Sequence, residues 1–267
     1  MESIENIRLR EDNESKSNPL SWLNLAGLFR LEEGENTFGS DESNHISLSG
    51  FHQPFCGNFS IKDGKVTFHP SNNVIFTSNK PAPETRPLIF DIDNEPDLIN
   101  IGTITFKIIV RGEATFVRAW DSESPVGKQF TGFKYYPVNK EYRVTAKYVR
   151  YDPPKNIKRL DIIGTESVGQ FLGQTQFSLH DMDCTLEAEK SGDKFLFHFT
   201  DATSKVTTYG GGRKFSISQP KGNKLILDFN LSENWPCAYT HFATCPVVPQ
   251  ENRLPIKIEA GEKKYFD

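Results

Sequence analysis

Cys237, His241 and Cys245 form a C-x3-H-x3-C pattern, and the first chemistry this spacing raises is zinc binding. On an extended strand all three would share one face with Tyr239. At about 3.4 Å per residue the two sulfurs would then lie roughly 27 Å apart. A tetrahedral zinc holds each thiolate at about 2.3 Å. A straight strand therefore rules out a shared metal or a disulfide. Only a folded loop would bring the thiols together, and it would still lack a fourth ligand. Two other readings stay open: thiols packed beneath a loop, or a nucleophilic cysteine activated by His241. The expectation is no metal, with Cys237, His241 and Cys245 as the residues to examine for one.

Other chemistry-bearing groups cluster nearby. Residues 225–230 read as a strand that ends with Asp228 and Asn230 on one face, Leu227 and Phe229 on the other. Such polar pairs either line a site or cap the next loop through Asx turns. Glu251-Asn252-Arg253 sits between Pro249 and Pro255, whose rings fix φ and stiffen the loop. A carboxylate, an amide and a guanidinium there suit either a ligand or buried backbone carbonyls. Tyr209-Gly-Gly-Gly-Arg213 lets the backbone approach something closely, as a bent β-connection or an anion-contacting loop with Arg213. Arg118 shares a strand face with Phe116 and Trp120, which suits stacking on Trp120 or an anion pocket. No G-x-S-x-G, H-E-x-x-H, P-loop or dinucleotide fingerprint occurs.

The elements that must position these groups read as β. The 36% of hydrophobic residues, among them 21 Phe, supply a core carried largely by aromatics. Short alternating runs recur between turn signals, and no segment keeps a helical period. The clearest hairpin is 102–120, turning at Arg111-Gly112-Glu113, with Ile104, Phe106, Ile108 and Val110 on one face. Phe195, Phe197 and Phe199 alternate with Leu196 and His198. The expected fold is mainly β, with antiparallel sandwich or barrel layers and little helix. The expected divisions are a polar flexible arm at 1–18, an N-terminal β subdomain at 19–125 and a C-terminal one at 126–267.

Net charge is −4, from 31 basic and 35 acidic residues, with no long basic run; this argues against a nucleic-acid surface. No apolar run reaches membrane-spanning length. The polar N-terminus lacks the apolar core of a signal peptide, so the expected compartment is the cytoplasm, with reduced thiols.

Two resemblances add to this reading. Gly34-Glu-Asn-Thr-Phe-Gly39-Ser40, followed by Asn44-His-Ile-Ser-Leu48, is faintly similar to the opening of a forkhead-associated domain, with Ser40 where that domain's phosphate-binding arginine stands. The second is carried by Phe199-Thr-Asp201-Ala-Thr203, Thr208-Tyr-Gly-Gly-Gly-Arg213, Asp228-Phe-Asn230, Pro236-Cys-Ala238, Cys245-Pro246, Glu251-Asn-Arg-Leu-Pro255 and Ala260-Gly-Glu-Lys263. Together with Trp22-Leu-x-Leu-Ala-Gly and Arg111-Gly-x4-Val-Arg118, these resemble the family catalogued as domain of unknown function 1684 across about residues 20–265. The resemblance implies a fold unit and no established activity. The chain departs from the pattern at Ser232-Glu233-Asn234-Trp235 and at His241.

The leading functional expectation is a site for a small anionic molecule, with hydrolase-like catalysis as its extension. Arg118, Arg213, Asn230, Tyr239, Asn252 and Arg253 would bind, and Asp228 or Glu251 would act as general base. A non-enzymatic protein-interaction or scaffold module is the alternative, and a zinc protein the third reading. No cofactor, nucleic acid or membrane partner is expected.

Overall fold

The computed structural model describes residues 2–266 and is mainly antiparallel β, in three open sheets, none closed into a barrel. The chain divides into two units, Asn13–Phe130 and Thr131–Asp267 with Met1–Asp12. Among the described residues, no helix is long and apolar enough to cross a membrane.

In the unit Asn13–Phe130 the strands are β1 (Leu25–Arg30), β2 (Gly34–Gly39), β3 (Ile46–Ser47), β4 (Gly57–Lys62), β5 (Lys65–Pro70), β6 (Thr77–Ser78), β7 (Ile99–Ile101), β8 (Ile104–Arg111) and β9 (Ala114–Asp121). They form one sheet in the order β1-β9-β8-β7-β6 and another in the order β3-β2-β4-β5. Period-two alternation sends Ile104, Phe106 and Ile108 of β8 and Val117 of β9 into one apolar cluster with Phe38, Phe59 and Phe68 of the second sheet. The rings of Phe38 and Phe59 lie 4.9 Å apart, and Phe106 meets Phe59 edge-on at 5.3 Å. Burying each such ring stabilises by about 1.5–3 kcal/mol. The expected hairpin is present, pairing Arg111 with Ala114 across a turn that holds Gly112 at φ 57.

The forkhead-associated likeness is not borne out. Its central Asn36 is fully buried. Asn36 Nδ2 donates to Glu32 O at 2.8 Å, while its Oδ1 accepts from Glu32 N at 2.9 Å. The motif is a turn lock.

The second unit carries β10 (Arg143–Leu160), β11 (Glu166–Leu179), β12 (Met182–Ser191), β13 (Lys194–Phe199), β14 (Arg213–Ser218), β15 (Lys224–Asp228) and β16 (Glu233–Asn234). They make one sheet ordered β15-β10-β11-β12-β13-β14-β16. One face holds Phe177, Leu186, Phe197, Phe199, Phe215, Leu227 and Phe229. The same core also takes in residues 254–260, which are not a strand. There Leu254, Ile256, Ile258 and Ala260 are buried, alternating with exposed Pro255, Lys257 and Glu259. The segment is tied in by Leu254 N to Thr200 O (2.8 Å) and Ala202 N to Ile256 O (2.9 Å).

Residues 1–18, expected as a flexible arm, contain instead a helix, α1 (Ile4–Ser17), none of whose residues is buried. Its anchors are polar. Arg8 donates to Tyr136 O at 2.9 Å and Asn230 O at 3.1 Å and stacks 4.4 Å from the Tyr135 ring centre. Asp12 accepts from Phe133 N at 3.0 Å. A helix docked this way has no apolar stripe for sequence periodicity to detect.

Candidate functional site

Between β13 and β14, and again after β15, the chain runs as loops with few ladder partners. Their backbone polar groups must be met by side chains. Arg213, 1% exposed, ties the loop that carries Asp201 to the segment 258–262. It donates to Asp201 Oδ2 at 2.5 Å, Ile258 O at 2.9 Å, Glu262 O at 3.3 Å and also to Ala260 O. Asp201 Oδ1 in turn accepts from Thr203 N at 2.6 Å. The register at this crossing needs Gly212, at φ 90, because a Cβ there would lie 2.5 Å from Phe199 O.

Other predicted site residues are also braces. Asn252 is fully buried: it accepts from Glu187 N at 2.7 Å and donates to His198 O at 2.9 Å. Asn230 donates to Asn139 O at 2.8 Å and to Asp228 Oδ1 at 2.9 Å. Asp228 caps the turn after β15 and its Oδ2 lies 3.5 Å from Arg143 Nε. Tyr239 donates to Glu262, whose other oxygen accepts from Asn234 N at 2.7 Å. Burial pushes the Glu262 carboxyl up to about 7, against the pull of these donors. Glu251 is exposed, 3.6 Å from Lys155 Nζ. Arg118 belongs to the other unit, with its guanidinium 5.5 Å from the Trp22 ring centre.

Of the residues expected to bind a ligand or act as a base, Arg253 alone lines a cavity of about 390 Å³ in the second unit. Lys205, Gly210, Gly211, Cys237 and Asp201 share its wall. Alternation explains the split between neighbours: Asn252 points inward as a brace and Arg253 outward to the cavity. Lys205 sits at φ 68, an unfavourable conformation for a residue with a Cβ, and its N–H is held by Thr208 O at 3.0 Å. The glycines make room: a Cβ on Gly210 would sit 2.7 Å from Lys205 Cγ, and one on Gly211 2.4 Å from Tyr209 Cε1. Sequence reasoning missed Lys205. The Asp201-Ala-Thr203-Ser204 turn signature just before it was the available signal.

The straight-strand estimate for the cysteines fails, because residues 236–246 fold back. A 3-10 turn at Pro236–Ala238 brings Cys237 N within 3.3 Å of Cys245 Sγ. Hydrogen bonding from the Cys245 thiol, aided by the Tyr209 hydroxyl and opposed by burial, pushes the Cys237 thiol down to about 7. The Cys245 thiol, which holds its proton toward Cys237, is pushed up. All four cysteines are free thiols. Among the described residues, no three His, Cys, Asp or Glu side chains gather to hold a metal ion, and His241 is exposed.

The locks and the cavity wall both fall in the region that comparison with known families identifies. The chain belongs to the family described as "Protein of unknown function (DUF1684)", whose model matches residues 128–263. That is narrower than the expected span of about 20–265. No curated protein matches the chain. Among solved structures, the chain is similar to the solution NMR structure of an uncharacterized protein of Haloarcula marismortui. The two are 25% identical, the match covers 52% of this chain and 79% of that one, and the TM-score is 0.44.

Proposed function

We propose that the protein binds a small anionic molecule in the cavity walled by Lys205, Cys237 and Arg253. One observation carries this reading, the charge balance of the wall. Two cations, Lys205 and Arg253, stand there, and the single lining carboxylate, Asp201, is already neutralised by Arg213. An arginine fork takes a carboxylate or phosphate through two parallel hydrogen bonds, and a lysine adds a point charge. The glycine pair lets the backbone approach the ligand. A volume of about 390 Å³ suits a metabolite-sized molecule. The reading stops at binding. Asp228 and Glu251, expected as general bases, are engaged by Arg143 and Lys155, and neither lines the cavity.

The test is a thermal-shift and calorimetric screen of inorganic phosphate and a series of mono- and dicarboxylates. At least one anion should stabilise the parent. Arg253→Ala and Lys205→Ala should each weaken its binding about tenfold, roughly 1.4 kcal/mol. Equal affinity in parent and both variants would overturn the reading, as would no stabilising anion at all.

A further inference from the structure

The anion-binding reading leaves one feature of the cavity wall unused. Cys237 is half-buried and lines the cavity, while Cys245 is 3% exposed behind it. The backbone N–H of Cys237 donates to Cys245 Sγ at 3.3 Å, so the fold-back sets the Cys245 sulfur against the Cys237 backbone. The Tyr209 hydroxyl also helps to pull the Cys237 thiol down. Two thiols brought together by this fold-back, one open to a cavity and one shielded, are the parts of an intramolecular dithiol.

We propose that Cys237 and Cys245 form a reversible dithiol–disulfide pair, oxidised by a hydroperoxide that enters through the cavity, with Cys237 attacking and Cys245 resolving. The roles follow from access and protonation. The thiolate is the nucleophile, and a thiol that ionises near ambient pH attacks most effectively. Cys237 is the thiol with donors around it and a path to solvent. Cys245 keeps its proton and has no such path. Cys56 and Cys184 are buried, and burial pushes both of their thiols up, so neither competes.

In the first step the Cys237 thiolate attacks the distal peroxide oxygen. An S–O bond forms and the O–O bond breaks. The other oxygen leaves with the electron pair and takes a proton as water or alcohol. Sulfur is oxidised by two electrons to the sulfenic acid, and the peroxide is reduced by two. In the second step the Cys245 sulfur attacks the Cys237 sulfur. The S–S bond forms, the S–O bond breaks, and hydroxide leaves with the Cys245 proton as water. A dithiol reductant returns two electrons and two protons to restore the pair.

The experiment treats the reduced full chain with equimolar hydrogen peroxide, blocks remaining thiols with N-ethylmaleimide and measures intact mass and peptide linkage. The expected product has lost two hydrogens, carries a linked Cys237–Cys245 peptide, retains two alkylatable thiols at Cys56 and Cys184, and reverts with dithiothreitol. Cys245→Ser should stop at the sulfenic acid, trapped by dimedone on Cys237. In Cys237→Ser, Cys245 should stay reduced. In the parent, Cys237 should react with iodoacetamide at least about tenfold faster than Cys56 or Cys184. This readout needs no variant to fold. The proposal is overturned if the folded parent forms no 237–245 linkage, if Cys56 or Cys184 reacts as fast, or if Cys245 is oxidised equally well in folded Cys237→Ser. The 237–245 linkage and the anion titration are read separately on the parent chain, so failure of this proposal and failure of the anion site are distinguishable.

Discussion

The interiors of the two units differ in what holds them. In Asn13–Phe130 a cluster of Phe38, Phe59, Phe68 and Phe106 fills the space between the two sheets, and the buried charged residues are Asp97 and Arg118. In Thr131–Asp267 a comparable phenylalanine cluster exists, but Glu187, Glu189, His198, Asp201, Arg213 and Glu262 are buried as well. A sheet satisfies its own N–H and C=O groups. The loops after β13 and β15 cannot, so side chains with several donors or acceptors replace the missing ladder. The cavity lies among those loops, where shape is set by polar locks.

The strongest way to break this comparison is to remove the central lock. Arg213→Met strands the Asp201 carboxylate and leaves three loop carbonyls unmet, an expected loss of about 3–5 kcal/mol in urea unfolding at neutral pH. Asp201→Asn added to it should recover part of the loss. A change below about 1 kcal/mol would mean the loops are held by packing alone. Phe59→Ala should cost a similar amount, about 3–5 kcal/mol, in the other unit through an empty cavity, with no dependence on pH.

Glu262 gives the comparison a pH signature. Its folded pKa of about 7 lies above the ordinary 4.5, so the folded state binds the proton more tightly than the unfolded one. Its contribution is therefore fully present below about pH 4.5 and is lost as pH rises through about 7. The loss is on the order of 3 kcal/mol. Glu262→Gln can still accept from Asn234 and donate to Tyr239, so the difference in unfolding free energy between parent and variant should grow across this window. Parallel curves would remove the assignment.

Two adjacent residues provide the finest contrast. Asn252→Ala should lower stability by about 2–3 kcal/mol, because Glu187 N and His198 O lose a buried partner. Arg253→Ala should change it by less than about 0.5 kcal/mol while weakening anion binding. Chemical denaturation of the two variants side by side checks this. Similar losses from both would erase the distinction between brace and wall.

Much of the β architecture was legible. The 104–121 hairpin, the alternating Phe195, Phe197 and Phe199, and the capping role open to Asp228 all follow from period-two patterning and turn chemistry. The candidate site was less so. Arg213, Asn230, Tyr239 and Asn252 carry polar atoms that suit a ligand, yet those atoms are spent on backbone and neighbouring side chains. Residue type alone does not distinguish the two uses, because both require convergent hydrogen-bond donors and acceptors. The helix α1 escaped for a related reason, since it docks through Arg8 and Asp12 and presents no apolar stripe.

The sequence by itself determined a mainly β chain, its aromatic cores and its family, because alternation, turn residues and motif order are local properties. The tertiary structure alone decided which polar residue faces solvent and which faces backbone. It also decided that Cys237 meets Cys245, a contact that extended geometry had placed out of reach. A single 3-10 turn and a proline-bounded loop reverse the chain between them. Such reversals depend on what the loop packs against, which no short stretch of sequence contains.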